Sequence, residues 1–239
     1  MNSSTNVDDN EVAQFDALSD RWWDREGPLR TLHDLNPARS AYIKTRAGPL
    51  AGKATVDVGC GGGILSEALA EHGAEVTGID LSANALATAR LHLYESGHTV
   101  HYEHTSAEAF ATQRAGQFAL VTCLELLEHV PEPASTIAAC AQLAAPGADI
   151  FFSTIHRNAK AYLMAILGAE YALGLLPRGT HDYQRFIKPS ELERSARQHG
   201  LALQHITGLK YNPFNHQAAL TRDVSVNYIA HFKKPPRTL

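Results

Sequence analysis

A chain of 239 residues is long enough for one α/β domain with a sizeable core, or for two small ones, and 44% hydrophobic with 19% charged residues is ordinary for a soluble globular protein. Its formal net charge of −4 and its lack of a basic block argue against a nucleic-acid partner. Three cysteines, Cys60, Cys123 and Cys140, have no paired spacing, which argues against a disulfide framework or a cysteine-zinc site and fits a reducing cytosol.

The opening "MNSSTNVDDN" is polar and acidic and lacks the layout of a signal or transit peptide, so a cytoplasmic location is expected. Residues 1–50, with "FDALSDRWWD" and "NPARSAYI", fall outside regular alternation and read as an N-terminal cap of helices. Trp22 and Trp23 there either anchor packing or line a ring pocket. "ATVDVGC" (54–60) reads as a first strand and "ILSEALAEHG" (64–73) as a helix closed by Gly73. "EVTGID" (75–80) is a second strand. "LSANALATARLHLYESG" (81–97) is a helix with Ser82 as N-cap and Gly97 as its stop. "VHYEHTS" (100–106) and "FALVTCLE" (118–125) are the third and fourth strands, followed by a helix from about Pro133 to Leu143. "ADIFFSTI" (148–155) is the fifth strand. Segment 157–188 again breaks the alternation, and helix "PSELERSARQHG" (189–200) leads to strand "LALQHITGL" (201–209). The alternating "SVNYIAHF" (225–232) reads as an antiparallel edge. Residues 1–239 thus read as a single domain, a doubly wound, mostly parallel seven-stranded α/β sheet of Rossmann-like type.

"VDVGCGGGIL" puts Asp57, Gly59, Gly61 and Gly63 at the end of the first strand, where ligands of open α/β sheets bind. Glycines there let the backbone approach a ligand closely. Asp80 ends the second strand, where a carboxylate can accept both hydroxyls of a ribose. The dinucleotide fingerprint fails, because its third glycine would fall on Ile64, and no Gly-Lys-Ser/Thr follows to grip a triphosphate. A nucleoside without a pyrophosphate remains. The loop and Asp80 together resemble the class I S-adenosylmethionine-dependent methyltransferases. That resemblance implies that the backbone of Gly59, Cys60 and Gly61 lies against the methionine part of the cofactor and that Asp80 holds its ribose. The place after strand three reads Ser106-Ala107-Glu108, not the family's frequent Asp-Ala, and carries no assigned contact.

"VTCLELLEHVPEP" (121–133) brings Glu125, Glu128 and His129 to the end of strand four, beside the glycine loop. Three readings compete. The turn is merely solvated; or His129 is a general base toward an acceptor hydroxyl, its ordinary pKa suiting that work; or the three hold a divalent metal. Spacing i, i+3, i+4 on one helical turn would converge them, and two carboxylates with an imidazole suit Mg²⁺, Mn²⁺, Zn²⁺ or Fe²⁺.

Taken together, "FDALSDRWWD", "LHDLNPARSAYI", "VDVGCGGG", "VTCLELLEHVPEP", "FFSTIHRNAKAYLMAILGAEY", "GTHDYQRFIKPSEL" and "HITGLKYNP" resemble the ubiquinone biosynthesis O-methyltransferases from about Phe15 to Tyr228. The resemblance implies methylation of catechol-like hydroxyls on polyprenylated rings, 2-polyprenyl-6-hydroxyphenol and 3-demethylubiquinol, with S-adenosylmethionine as donor. It also implies a divalent metal, Mg²⁺ first, at Glu125, Glu128 and His129, and cofactor contacts from Arg39 and Leu124. A guanidinium at Arg39 could pair with the methionine carboxylate; an exposed helix charge is the plainer reading. "YNPF" (211–214) is similar to a motif of amino-group methyltransferases but stands after the wrong strand.

"AKAYLMAILGAEYALGLLP" (159–177) is apolar on nearly every helical face but too short and charged to span a bilayer. It reads as a lid, a buried helix or a segment lying in a lipid interface. A polyprenyl tail favours the lipid phase by roughly 0.8 kcal/mol per methylene. A peripheral position on the inner face of the membrane is therefore expected, with other proteins of ubiquinone biosynthesis as candidate partners. Two other functions remain open: a metal-independent O-methyltransferase using His129 as base, and a non-catalytic binder of quinone intermediates.

Overall fold

The computed structural model describes residues 6–158 and 185–236. The sheet grows from β1 (Ala54–Val58), whose residues are buried after the first because helices cover both faces. β1 pairs in parallel with β2 (Glu75–Asp80) on one side and β4 (Phe118–Leu124) on the other. β3 (Val100–His104) extends the β2 side, and β5 (Ala144–Ile155) the β4 side, both in parallel. The remaining strands run antiparallel: β8 (Asn227–Lys233) against β5, β6 (Ala202–Asn212) against β8, and β7 (Gln217–Thr221) against β6. The sheet order is β3-β2-β1-β4-β5-β8-β6-β7. The winding reverses between β1 and β4, which opens a crevice beyond their carboxyl ends.

The connecting helices follow their caps. α3 (Ile64–Glu71) starts directly after the glycine loop. α4 (Ala83–Ser96) begins where Ser82 Oγ accepts from Ala85 N at 2.9 Å, and it ends at Gly97 with φ 70°. α6 (Pro133–Leu143) and α7 (Pro189–Gln198) both carry proline in the first turn, where its missing N–H costs nothing. At the N-terminus α1 (Asp9–Asp16), a 3₁₀ turn (Ser19–Arg21) and α2 (Arg30–Ala47) precede the sheet.

Three details differ from the sequence reading. Among the described residues the sheet has eight strands, not seven, because Tyr211–Thr221 turns back on itself as the β6–β7 hairpin. β8 is antiparallel as expected but lies inside the sheet between β5 and β6, so Tyr228 through Phe232 are buried. A short helix, α5 (Ala107–Arg114), capped by Ser106, fills the link between β3 and β4. The apolar insert expected over 157–188 lies, apart from its ends, outside the described residues. Among the described residues no helix is long and apolar enough to cross a membrane.

Candidate functional site

Past Val58 the chain turns through Gly59 and Gly61, both left-handed at φ 73° and 53°. A Cβ on Gly61 would meet Trp22 Cζ2 at 2.1 Å, so the loop needs glycine for both reasons. Trp22, buried, lies flat on this loop. Asp80 at the end of β2 fixes the loop from below: Gly61 N donates to its Oδ2 and Ser82 N to its Oδ1, each at 2.8 Å. Burial raises the proton affinity of Asp80, while these backbone N–H groups work the other way. Asp57, at the end of β1, accepts from Ser66 Oγ and Thr122 Oγ1, both at 2.7 Å. Burial pushes its pKa up to about 6.

At the end of β4 the helical turn assumed for Glu125, Glu128 and His129 does not form. Glu125 is left-handed at φ 52°, and His129 N closes a tight turn on Leu126 O at 2.9 Å. Each of the three side chains instead meets its own partners. Glu125 Oε1 lies 3.0 Å from Arg39 Nη2, and its carboxylate accepts from Ser153 Oγ and from Asn227 Nδ2. The Arg39 contact is an ion pair without hydrogen-bond geometry, since Nε and Nη2 have no hydrogen-bond partner among the described residues. Arg39 is buried, not the exposed helix charge of the plainer reading. Glu128 is buried; its Oε2 accepts from Thr154 Oγ1 at 2.9 Å, and its Oε1 has no hydrogen-bond partner among the described residues. Burial, and then the charge of Glu125, lift its pKa to about 7.

His129 Nδ1 lies 3.0 Å from Glu11 Oε2 on α1, and its ring meets Phe15 edge-on at 5.1 Å. Burial opposes its charge, but the Glu11 hydrogen bond and the carboxylates of Glu128, Glu11 and Glu125 outweigh that, and its pKa is raised. Arg185 pairs with the other oxygen of Glu11 and with Asp8, tying α1 down.

One cavity of about 1280 Å³ receives all of this. It exceeds the roughly 300–1,000 Å³ of a typical single-ligand pocket. Gly59, Cys60, Gly61 and Asp80 line it at the β1–β2 end; Leu124, Glu125, Glu128 and His129 line it at the β4 end, with Arg39 beside them. Every residue expected in a cofactor, catalytic or metal role thus borders the same space. The sequence reading missed Glu11 and Asn227, which also line it, and set aside the "YNPF" stretch whose Tyr211 lines it as well. Glu11 and Asn227 carry no local signal, because each arrives from a distant element. Tyr211 Oη lies 2.9 Å from His216 Nδ1.

Among the described residues no group of three or more His, Cys, Asp or Glu side chains is placed to hold a metal ion. The donor chemistry suits a divalent cation, and the unpartnered Glu128 Oε1 is an atom a cation would satisfy. The arrangement itself does not gather the set, since Glu125 is held by Arg39 and His129 by Glu11.

A family model described as a methyltransferase domain matches residues 32–206. The chain is 58% identical over 229 residues to the "Ubiquinone biosynthesis O-methyltransferase" of Aromatoleum aromaticum, covering 96% of this chain and 97% of that protein. It is 56% identical over 230 residues to the protein of the same name from Pseudomonas aeruginosa, with coverage of 96% and 99%. Among solved structures, magnesium protoporphyrin IX methyltransferase from Synechocystis PCC 6803 with bound SAH superposes with a TM-score of 0.69 at 20% identity, covering 94% and 99% of the two chains. A putative methyltransferase from Bacillus halodurans gives 0.61 at 19% identity, covering 82% and 98%. These two likenesses concern the fold.

Proposed function

The chain belongs to the ubiquinone biosynthesis O-methyltransferases and is an S-adenosylmethionine-dependent enzyme, and from that premise we propose that it methylates catechol-type hydroxyls of polyprenylated rings, 2-polyprenyl-6-hydroxyphenol and 3-demethylubiquinol. One observation carries the reading: a single cavity has a nucleoside-type carboxylate, Asp80, at one end and a cluster of ionisable groups, Glu125, Glu128 and His129, at the other. A donor and an acceptor fit in the same space.

Asp80 takes the ribose hydroxyls, the backbone of Gly59, Cys60 and Gly61 lies along the methionine part, and Arg39 faces the methionine carboxylate. Leu124 packs against the cofactor as apolar wall. The acceptor oxygen then attacks the sulfonium methyl in line with the leaving sulfur. A carbon–oxygen bond forms, the carbon–sulfur bond breaks, and its electron pair stays on sulfur as a neutral thioether. Holding two reactants in line contributes about 7–11 kcal/mol. The hydroxyl proton passes to the Glu128–His129 pair, whose carboxyl titrates near neutrality at about 7. Phe15 and Leu18 border the cavity and add apolar wall to it.

A divalent cation at Glu125, Glu128 and His129 is the finer part of this reading, supported by the donor types and the unpartnered Glu128 Oε1. When bound it would lower the pKa of the acceptor hydroxyl. It requires Glu125 to release Arg39 and His129 to release Glu11. The insolubility of a polyprenyl tail supports a further element, reaction at the membrane surface in contact with lipid and with other proteins of ubiquinone biosynthesis. The test is transfer of labelled methyl from S-adenosylmethionine to each of the two catechol-type acceptors. Label on neither, from protein that binds the donor, contradicts the substrate assignment.

A further inference from the structure

Three side chains around the glycine loop do not line the cavity: Glu67 on α3, His92 on α4 and Trp23 beyond the 3₁₀ turn. Glu67 is buried, and both its carboxylate oxygens lie against His92 Nδ1, at 2.9 and 3.0 Å. A buried carboxylate needs such a partner. The His92 ring stacks on Trp23 with centroids 3.4 Å apart and planes 4° from parallel. The Trp23 indole Nε1 donates to Gly62 O at 2.9 Å, a backbone carbonyl in the glycine loop itself. On its other side Trp23 meets His33 edge-on at 5.4 Å, and His33 Nε2 lies 2.8 Å from Trp22 O.

We propose that Glu67, His92 and Trp23 are positioning residues for the cofactor loop, a carboxylate–imidazole–indole brace that fixes the Gly62 carbonyl and so aims the backbone of Gly59 to Gly63. The proposal rests on the reading that this loop holds S-adenosylmethionine. The physical reason for a brace is the loop's composition. A run of glycines has the largest conformational freedom to lose, and a ligand that binds it must stand that loss unless another contact has already imposed the shape. Trp22 occupies the space over Gly61 and Gly62, and Trp23 supplies a directional contact to the Gly62 carbonyl. Glu67 and His92, from the helices that precede and follow β2 in the chain, in turn hold the indole plane. The three residues therefore act on affinity for the cofactor, and they touch neither it nor the acceptor.

The experiment is calorimetric binding of S-adenosylhomocysteine to wild type, Trp23→Phe, His92→Ala, His92→Gln and the double variant Trp23→Phe/His92→Ala, with steady-state kinetics and thermal melts alongside. Trp23→Phe keeps a ring to stack but removes the donor to Gly62. His92→Ala removes the stack but leaves the donor. His92→Gln keeps a donor to Glu67 and protects the fold while removing the stack. Each single variant should bind roughly tenfold more weakly, as loss of one hydrogen bond allows, with kcat at saturating cofactor within about twofold. The double variant should be no weaker than about tenfold, because the residues act through one carbonyl. Unchanged affinity in folded single variants overturns the proposal, as does a double variant near the roughly 100-fold product of two independent losses. Wild-type protein that takes up no S-adenosylhomocysteine overturns the cofactor reading itself, and the brace with it.

Discussion

Arg39 on α2 reaches the carboxylate of Glu125 at the end of β4, its Nη2 3.0 Å from Oε1. The contact joins the N-terminal helices to the strand end where the acceptor is placed. Its guanidinium sets a positive charge against Glu125, the carboxylate whose charge, after burial, raises the pKa of Glu128.

Arg39→Met removes that charge from a buried place. Glu125 keeps the donors Ser153 and Asn227, so the loss should fall near the low end for a broken buried pair, about 3 kcal/mol in urea unfolding. Cofactor affinity should fall as well if Arg39 also meets the methionine carboxylate. A variant as stable as wild type, with unchanged affinity, contradicts both roles.

Asp80→Ala deletes the acceptor of two backbone N–H groups and, in this reading, of the ribose hydroxyls. Loss of charged hydrogen bonds is worth about 1.5–3 kcal/mol each, so affinity for S-adenosylhomocysteine should drop by roughly 100-fold or more. Calorimetry showing tight binding to Asp80→Ala would place the nucleoside elsewhere.

Stability should depend on pH through Glu128. Its folded pKa of about 7 lies above the ordinary 4.5, so the folded state holds this proton more tightly than the unfolded chain. The contribution is fully present below about pH 4.5 and is lost as pH rises through about 7. His129, also raised, acts in the same direction. A shift of this size corresponds to roughly 3 kcal/mol. Glu128→Gln should therefore melt higher than wild type at pH 8 and show little difference at pH 4, while its kcat falls. A variant that melts lower than wild type at pH 8 would show that the ionised carboxylate is stabilised, not strained.

The local parts of the site were legible in the sequence. The glycine loop and Asp80 each sit at a strand end, and the contiguous strand–loop–helix order defines their place without any distant contact. Ser82 and Gly97 announced the ends of α4 through their capping chemistry. What was hidden depends on contacts across the chain. The approach of Glu11 to His129 and of Asn227 to Glu125 exists only once α1 and β8 have packed. β7 was missed because "QAALT" is short and largely exposed, and shows no buried face. The metal geometry failed for a local reason: i, i+3, i+4 spacing converges only on a helix, and Glu125 at φ 52° starts a tight turn instead.

Metal assistance has its own test. Chelation by EDTA should lower kcat at least about tenfold and Mg²⁺ should restore it, with Glu128→Gln insensitive to both. Activity that survives chelation contradicts the metal-assisted form and leaves proton transfer to the Glu128–His129 pair alone.

The most direct measurement is a crystal structure of the protein with S-adenosylhomocysteine. Expected are ribose hydroxyls on the Asp80 carboxylate, the amino-acid end along Gly59 to Gly61 near Arg39, and the sulfur facing the space before Glu125 and His129. A nucleoside bound outside this cavity, or one whose sulfur points away from the end of β4, would contradict methyl transfer at this site.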